Sequence, residues 1–191
     1  AVTTERVEGL RAALPEPPWE REARYAAAGV PRDVIHYLVR RGGAALVDRV
    51  VRECGADLRW SAFFVGERVK GLRRHGVPVD AVTPERWCEL FAAFAGRPTL
   101  REAWRALSER LARRPEAGMD ELLEELGLAG AAPPWRERLP VWLERAESEA
   151  YDDDPGRIAR HAAGQAMRSL RGKVPGAEVV DAVRRSLEVA R

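Results

Sequence analysis

Proline and glycine punctuate this chain at intervals of roughly three helical turns, and between them no segment sustains the period of two that a half-buried strand needs. Prolines fall where a helix tolerates them, in a first turn, and glycines where one ends. PPWEREARYAAAG opens on prolines and closes at Gly29, and PRDVIHYLVRRGG starts at Pro31 and stops at the Gly42-Gly43 pair. Residues 43–55 make a further helix through Leu46, Val47, Val50 and Val51. Asp57 can cap LRWSAFFVGERVKGLRRHG, the longest apolar-periodic segment, which ends at Gly76. Thr83-Pro84-Glu85 opens a helix to Gly96, Thr99 one to Arg114, and residues 120–126 a short one. Pro133-Pro134 opens the next, Asp154-Pro155 begins a long one, and the last starts near Ala177. The pattern predicts an all-α chain: an irregular multi-helix domain followed by a small C-terminal helical tail subdomain.

Two joints interrupt it, LPEPP at 14–18 and YDDDP at 151–155. The expected organisation is a helical lead-in over 1–38, a helical domain over 39–150 and a basic tail over 151–191. Charge supports the last division. The whole chain carries only +2, yet residues 156–191 sum to +5 and residues 1–155 to −3. The polar joint before the tail is expected to let it move relative to the body.

Several function classes find no support. No apolar run approaches the roughly 18 residues of a membrane span, and the opening AVTTERVEGLRAALP lacks a signal-peptide core. Cys54 and Cys88 form no CxxC pair and suit a reducing, cytoplasmic setting. No GxSxG elbow frames a serine, no HExxH spacing joins His36, His75 and His161, and no glycine-rich loop follows a strand. Hence no catalytic residue, metal site or cofactor is expected. His75 reads as a cation at a helix C-terminus, and Asp152-Asp153-Asp154 as a cap with acids complementing the helix dipole. The six tryptophans, spread singly, read as core anchors.

The asymmetric feature is DPGRIARHAAGQAMRSLRG, residues 154–172. At 100° per residue, Arg157, Arg160, His161, Gly164, Arg168 and Arg171 share an arc of about 100°. Ile158, Ala159, Ala162, Ala163, Ala166, Ser169 and Leu170 occupy the opposite side. A glycine inside a helix costs about 1 kcal/mol relative to alanine, so something should offset Gly164. Two readings stand: the glycine lets a nucleic-acid backbone approach between arginines that reach its phosphates, or it receives another helix.

GQAMRSLRGKVPGAEVVDAVRRSL resembles the C-terminal tail of the GatB/YqeY family: a glycine (Gly164), a methionine three residues on (Met167), then a basic GK element, Arg171-Gly172-Lys173. The aliphatic positions Val179, Val180, Val183 and Leu187 suit the same tail. LRRHGVPVDAVTPERWCELFAAFAGRPTLREA resembles the family's middle helical region, with GVPVD inclining to the GatE branch, and LPEPPWEREARYAAAGV is similar to the segment by which those subunits leave their catalytic domain. The resemblance covers essentially the whole chain. It implies the tRNA-binding, non-catalytic C-terminal part of a Glu-tRNA(Gln) or Asp-tRNA(Asn) amidotransferase subunit, a ligase that activates the charged tRNA with ATP and amidates it. The implied partners are tRNA, the catalytic domain of the same subunit and a glutaminase-type subunit. The implied RNA-binding residues are Arg157, Arg160, His161, Gly164, Arg168, Arg171 and Lys173. This tail is arginine-rich where the family's is often lysine-rich. Related tails also occur as free YqeY-type proteins, which makes a self-standing protein-interaction module the alternative, and appended to a glutaminyl-tRNA synthetase.

Overall fold

A computed structural model describes residues 3–13, 16–149 and 154–189. Leu14 and Pro15 of the first joint, and Tyr151, Asp152 and Asp153 of the second, lie outside these. The described residues are helical and contain no strand, as the punctuation predicts. The chain divides into two compact units, Ala1–Asp80 and Ala81–Arg191.

The first unit holds α1 (Thr4–Ala13), α2 (Pro18–Ala27), α3 (Arg32–Arg41), α4 (Gly43–Cys54), α5 (Leu58–Phe63) and α6 (Lys70–Arg74). Pro18 starts α2 in its first turn, and the Asp57 carboxylate caps α5 by accepting from the Trp60 amide at 2.7 Å. The helix predicted across 58–76 is continuous but changes winding: a π-helical stretch, Phe64–Val69, joins α5 to α6. A Cβ on Gly66 would stand 2.7 Å from Val34 Cγ1, so α3 crosses against bare backbone there. Val34, Ile35, Leu38, Val47, Val50, Phe64 and Leu72 close this core.

Tyr25 lies at 0% exposure within it. Its Oη stands 3.1 Å from the Ala44 carbonyl oxygen and 3.0 Å from Asp48 Oδ1, two acceptors for one proton. Arg21 and Arg24 reach the same Asp48 carboxylate, each at 2.9 Å. Trp19, by contrast, is 70% exposed, which corrects its expected role as a core anchor. Tyr25 sets the inward side of α2, and Trp19, six residues earlier, falls about 120° away from it. Trp87, Trp135 and Trp142 are buried as expected, whereas Trp60 and Trp104 are only partly so.

The second unit holds α7 (Pro84–Gly96), α8 (Trp104–Arg113), α9 (Met119–Glu125), α10 (Leu139–Ser148), α11 (Pro155–Leu170) and α12 (Gly176–Val189). Thr83 caps α7, and Asp154 caps α11 by accepting from the Gly156 amide at 3.0 Å. The helices predicted from Thr99 and from Pro133 instead begin as 3-10 turns, Pro98–Ala103 and Trp135–Arg138, before α8 and α10. α3 runs unbroken through residues 38 and 39. α10, which precedes residue 150, shares one core with α11 and α12, from Trp135 and Trp142 through Ala162 and Leu170 to Val183 and Leu187.

Burial pushes the Tyr25 phenol well above its ordinary value, and the Asp48 carboxylate adds to the shift. The folded state therefore keeps this proton while the unfolded chain releases it near pH 10. Stability from this group is complete below about pH 10 and falls as pH rises beyond it. Urea unfolding from pH 7 to 11 should show that alkaline fall. Tyr25→Phe should flatten it, at a cost of about 1 kcal/mol at pH 7 for the lost hydrogen bond.

Candidate nucleic-acid interface

The small side of α11 faces its neighbours. Ile158, Ala159, Ala162, Ala163, Ala166 and Leu170 are all buried; Ser169, expected among them, is not. With four alanines on that side, α10 and α12 close on α11, and the polar arc is left outside. Arg157, Arg160, His161, Gly164, Arg168 and Arg171 are all exposed, and Lys173 is half-buried.

Their surroundings differ along the helix. At the N-terminal end Arg157 Nε stands 3.8 Å and Arg160 Nη2 4.0 Å from Asp154 Oδ2, the capping carboxylate. His161 turns toward α10: its Nε2 lies 2.8 Å from Glu149 Oε2, to which Gln165 Nε2 also donates at 3.0 Å. Arg145 holds the other Glu149 oxygen at 2.8 Å, and these contacts, Arg145 first and His161 second, keep the Glu149 carboxyl below the usual carboxylate range. His161 thus clasps α11 to the end of α10. Arg168 and Arg171, at the other end, make no ion pair among the described residues.

Gly164 stands in open space. A Cβ built on it meets nothing within 4 Å, so it receives no helix among the described residues. Beside it a groove of about 540 Å³ runs between α11 and α12.

The glycine of the basic GK element has a different explanation. Arg171 has φ −56° and ψ 126°, Gly172 has φ +80°, and the Lys173 amide donates to the Leu170 carbonyl at 2.8 Å. This is a type II turn with glycine at the position that needs positive φ. A Cβ there would also stand 2.8 Å from Ala103 Cβ and 2.9 Å from Leu128 Cδ2. The Arg97 guanidinium bonds the Leu128 carbonyl, and Glu102 Oε1 accepts from the Gly176 amide at 2.8 Å at the start of α12. The turn therefore seats the end of α11 on the 98–128 segment and fixes where Arg171 and Lys173 project.

Relatives were found along nearly the full chain. The E subunit of the glutamyl-tRNA(Gln) amidotransferase of Thermococcus gammatolerans is 26% identical over 188 residues, covering 98% of this chain and 30% of its own length. The corresponding E subunit of Methanopyrus kandleri is 26% identical over 184 residues, covering 96% and 29%. The B subunit of an aspartyl/glutamyl-tRNA(Asn/Gln) amidotransferase of Prosthecochloris aestuarii is 27% identical over 197 residues, covering 98% and 40%. Along nearly its full length the chain is similar to the E and B subunits of tRNA-dependent amidotransferases. It spans about a third of the length of these relatives. No family model matches the chain, and no solved structure does.

The structure adds a residue that the α11 arc did not include. Arg184 on α12 is exposed and lines the groove with Arg160 and Arg171. A helical projection of one helix cannot bring in a cation from the next; the sequence signal was only the excess of basic residues after 156. Among the described residues no three His, Cys, Asp or Glu side chains converge to hold a metal ion, and no helix is long and apolar enough to cross a membrane.

The two glycines predict opposite responses. Gly164→Ala should stabilise the fold by about 1 kcal/mol, because the site is helical and unobstructed. Gly172→Ala should destabilise it by more than about 1 kcal/mol, since a left-handed alanine is strained before any clash is counted. Denaturant midpoints of the two variants against the parent chain measure both.

Proposed function

We propose that this chain is the tRNA-binding, non-catalytic helical region of an amidotransferase subunit acting on Glu-tRNA(Gln) or Asp-tRNA(Asn), and that it holds the outer corner of the tRNA for amidation elsewhere in the enzyme. Its partners on this reading are tRNA, a catalytic domain of the same subunit and a glutaminase-type subunit, and its setting is the cytoplasm. The observation that carries the reading is the exposed run Arg160, Gly164, Arg168 and Arg171, open at its centre and without acidic partners at its C-terminal end. The relatives' names supply the RNA. The stripe supplies the chemistry: guanidinium groups form bidentate hydrogen bonds to phosphate, and a bare backbone between them admits a second backbone at close range.

On this reading Arg157, Arg160, Arg168 and Arg171 meet phosphates, with Lys173 beside the turn. His161, engaged by Glu149, acts mainly by keeping α11 against α10. The chain's own work is to bind and orient, and ATP use and ammonia release belong to the segments of the relatives that it does not span.

Three or four phosphate contacts give a log–log salt dependence of roughly −2 to −4. Arg168→Glu with Arg171→Glu should weaken tRNA binding and reduce that slope by roughly 1.5. The comparison pair must be cations outside the tail that carry no local structure. Arg73 fails that condition, because it holds Asp80 and the Tyr37 hydroxyl. Arg40 and Arg74, both exposed, satisfy it. Their reversal to glutamate should change affinity much less at every salt concentration. Equal losses from the two pairs in a filter-binding titration would reduce the stripe to general electrostatics.

A further inference from the structure

We propose that the groove between α11 and α12 receives an unstacked base from a single-stranded RNA loop, while the arginines at its edge hold the flanking phosphates. This rests on the RNA-binding reading above and adds what the site recognises. The groove measures about 540 Å³, within the range of pockets that take small organic groups. Its inner wall is apolar and largely buried: Ala159, Ala163, Val180 and Leu187, with the Met167 thioether among them. Such a wall meets the face of a heteroaromatic ring, and a thioether makes favourable contacts with one. Arg160, Arg171 and Arg184, all exposed, stand at its edge with one acidic residue, Glu188.

The edge selects the occupant. Three guanidinium groups against one carboxylate favour an anionic chain, and guanidinium planes also stack on bases. The groove is continuous with the phosphate-binding stripe, since Arg160, Gly164 and Arg171 belong to both. An RNA backbone following the stripe passes the groove where Gly164 offers no side chain and the space beyond its Cα is empty. Bases within a paired stem cannot turn into it, whereas loop bases are free to splay outward.

The test compares two RNAs of equal length and charge, a hairpin with 2-aminopurine in its loop and a fully paired duplex, binding the 191-residue chain at fixed salt. Gly164→Leu fills the mouth of the groove at an open helical position, where leucine favours the helix more than glycine does. Arg168→Glu alters the stripe outside the groove. The hairpin should bind about tenfold more tightly than the duplex, a typical worth for one stacked base, and its 2-aminopurine emission should change on binding. Gly164→Leu should weaken duplex binding, because the backbone approaches there, and hairpin binding about tenfold more, so that the two RNAs bind alike. Equal binding of both RNAs, still weakened by Arg168→Glu, overturns the groove proposal and leaves the stripe reading standing. A hairpin preference that survives Gly164→Leu overturns it too, because the loop is then read elsewhere. No binding of either RNA removes the functional reading and this inference together. Binding of an acidic amphipathic leucine–glutamate helix, abolished by Gly164→Leu and with no hairpin preference, assigns the groove to a protein segment instead.

Discussion

Close packing on the alanine side of α11 is the constraint from which the display of charge follows. Ala162 and Ala166 are fully buried, and Ala159 and Ala163 nearly so. Short side chains bring the neighbouring helices near the α11 backbone, and Trp142 from α10 and Val183 and Leu187 from α12 supply the bulk that the alanines lack. Interiors pack as densely as organic crystals, so a helix with small residues requires large ones opposite. Once that side is closed, the arginines of α11 have only the solvent side available, while Gln165, buried, turns to Glu149 at the end of α10. The stripe is therefore a consequence of the core, held at one end by the Asp154 cap and at the other by the turn at Gly172.

Helix limits were legible in the chain because they are set by local chemistry. Asp57, Thr83 and Asp154 accept amide hydrogen bonds as their positions predict, and Gly29, Gly42, Gly55 and Gly76 all take left-handed φ where helices stop. What the sequence did not disclose is set by tertiary contact. Nothing in FVGERV announces the π-helical winding at 64–69 or the close approach of α3 to Gly66 within it. That α10, α11 and α12 share one core is not visible in the change of charge after residue 150, which reports on surface and not on packing. Trp19 shows the same limit, since a tryptophan is apolar whether or not its side of the helix is covered.

The basic arc itself was legible as a period, because exposure follows from helical geometry once the buried side is known. Its internal differences were not. His161 and Arg168 look equivalent on a helical projection, yet Glu149 stands 2.8 Å from one and no acid pairs with the other among the described residues. Gly164 and Gly172 also looked alike in sequence. In the structure Gly172 is required by its dihedral angle and by Leu128 and Ala103, and Gly164 by neither angle nor neighbour.

That difference can be taken one step further with magnitudes. Many arginines elsewhere in the chain have partners: Arg24 with Glu16 and Asp48, Arg73 with Asp80, Arg105 with Glu109, Arg145 with Glu149. Exposed pairs of this kind stabilise by about 0–1 kcal/mol each, so lacking them costs Arg168 and Arg171 little. Like charges three or four residues apart on a helix repel by about 0.2–0.5 kcal/mol. Gly164 lies four residues from both Arg160 and Arg168, so a neutral residue there avoids further repulsion. Alanine is equally neutral, however, and better in a helix by about 1 kcal/mol. Electrostatics therefore selects against arginine at 164 but not for glycine. Packing does not select it either, since an added Cβ meets nothing, and its φ is not left-handed. Of the forces acting among the described residues, none prefers glycine at this position.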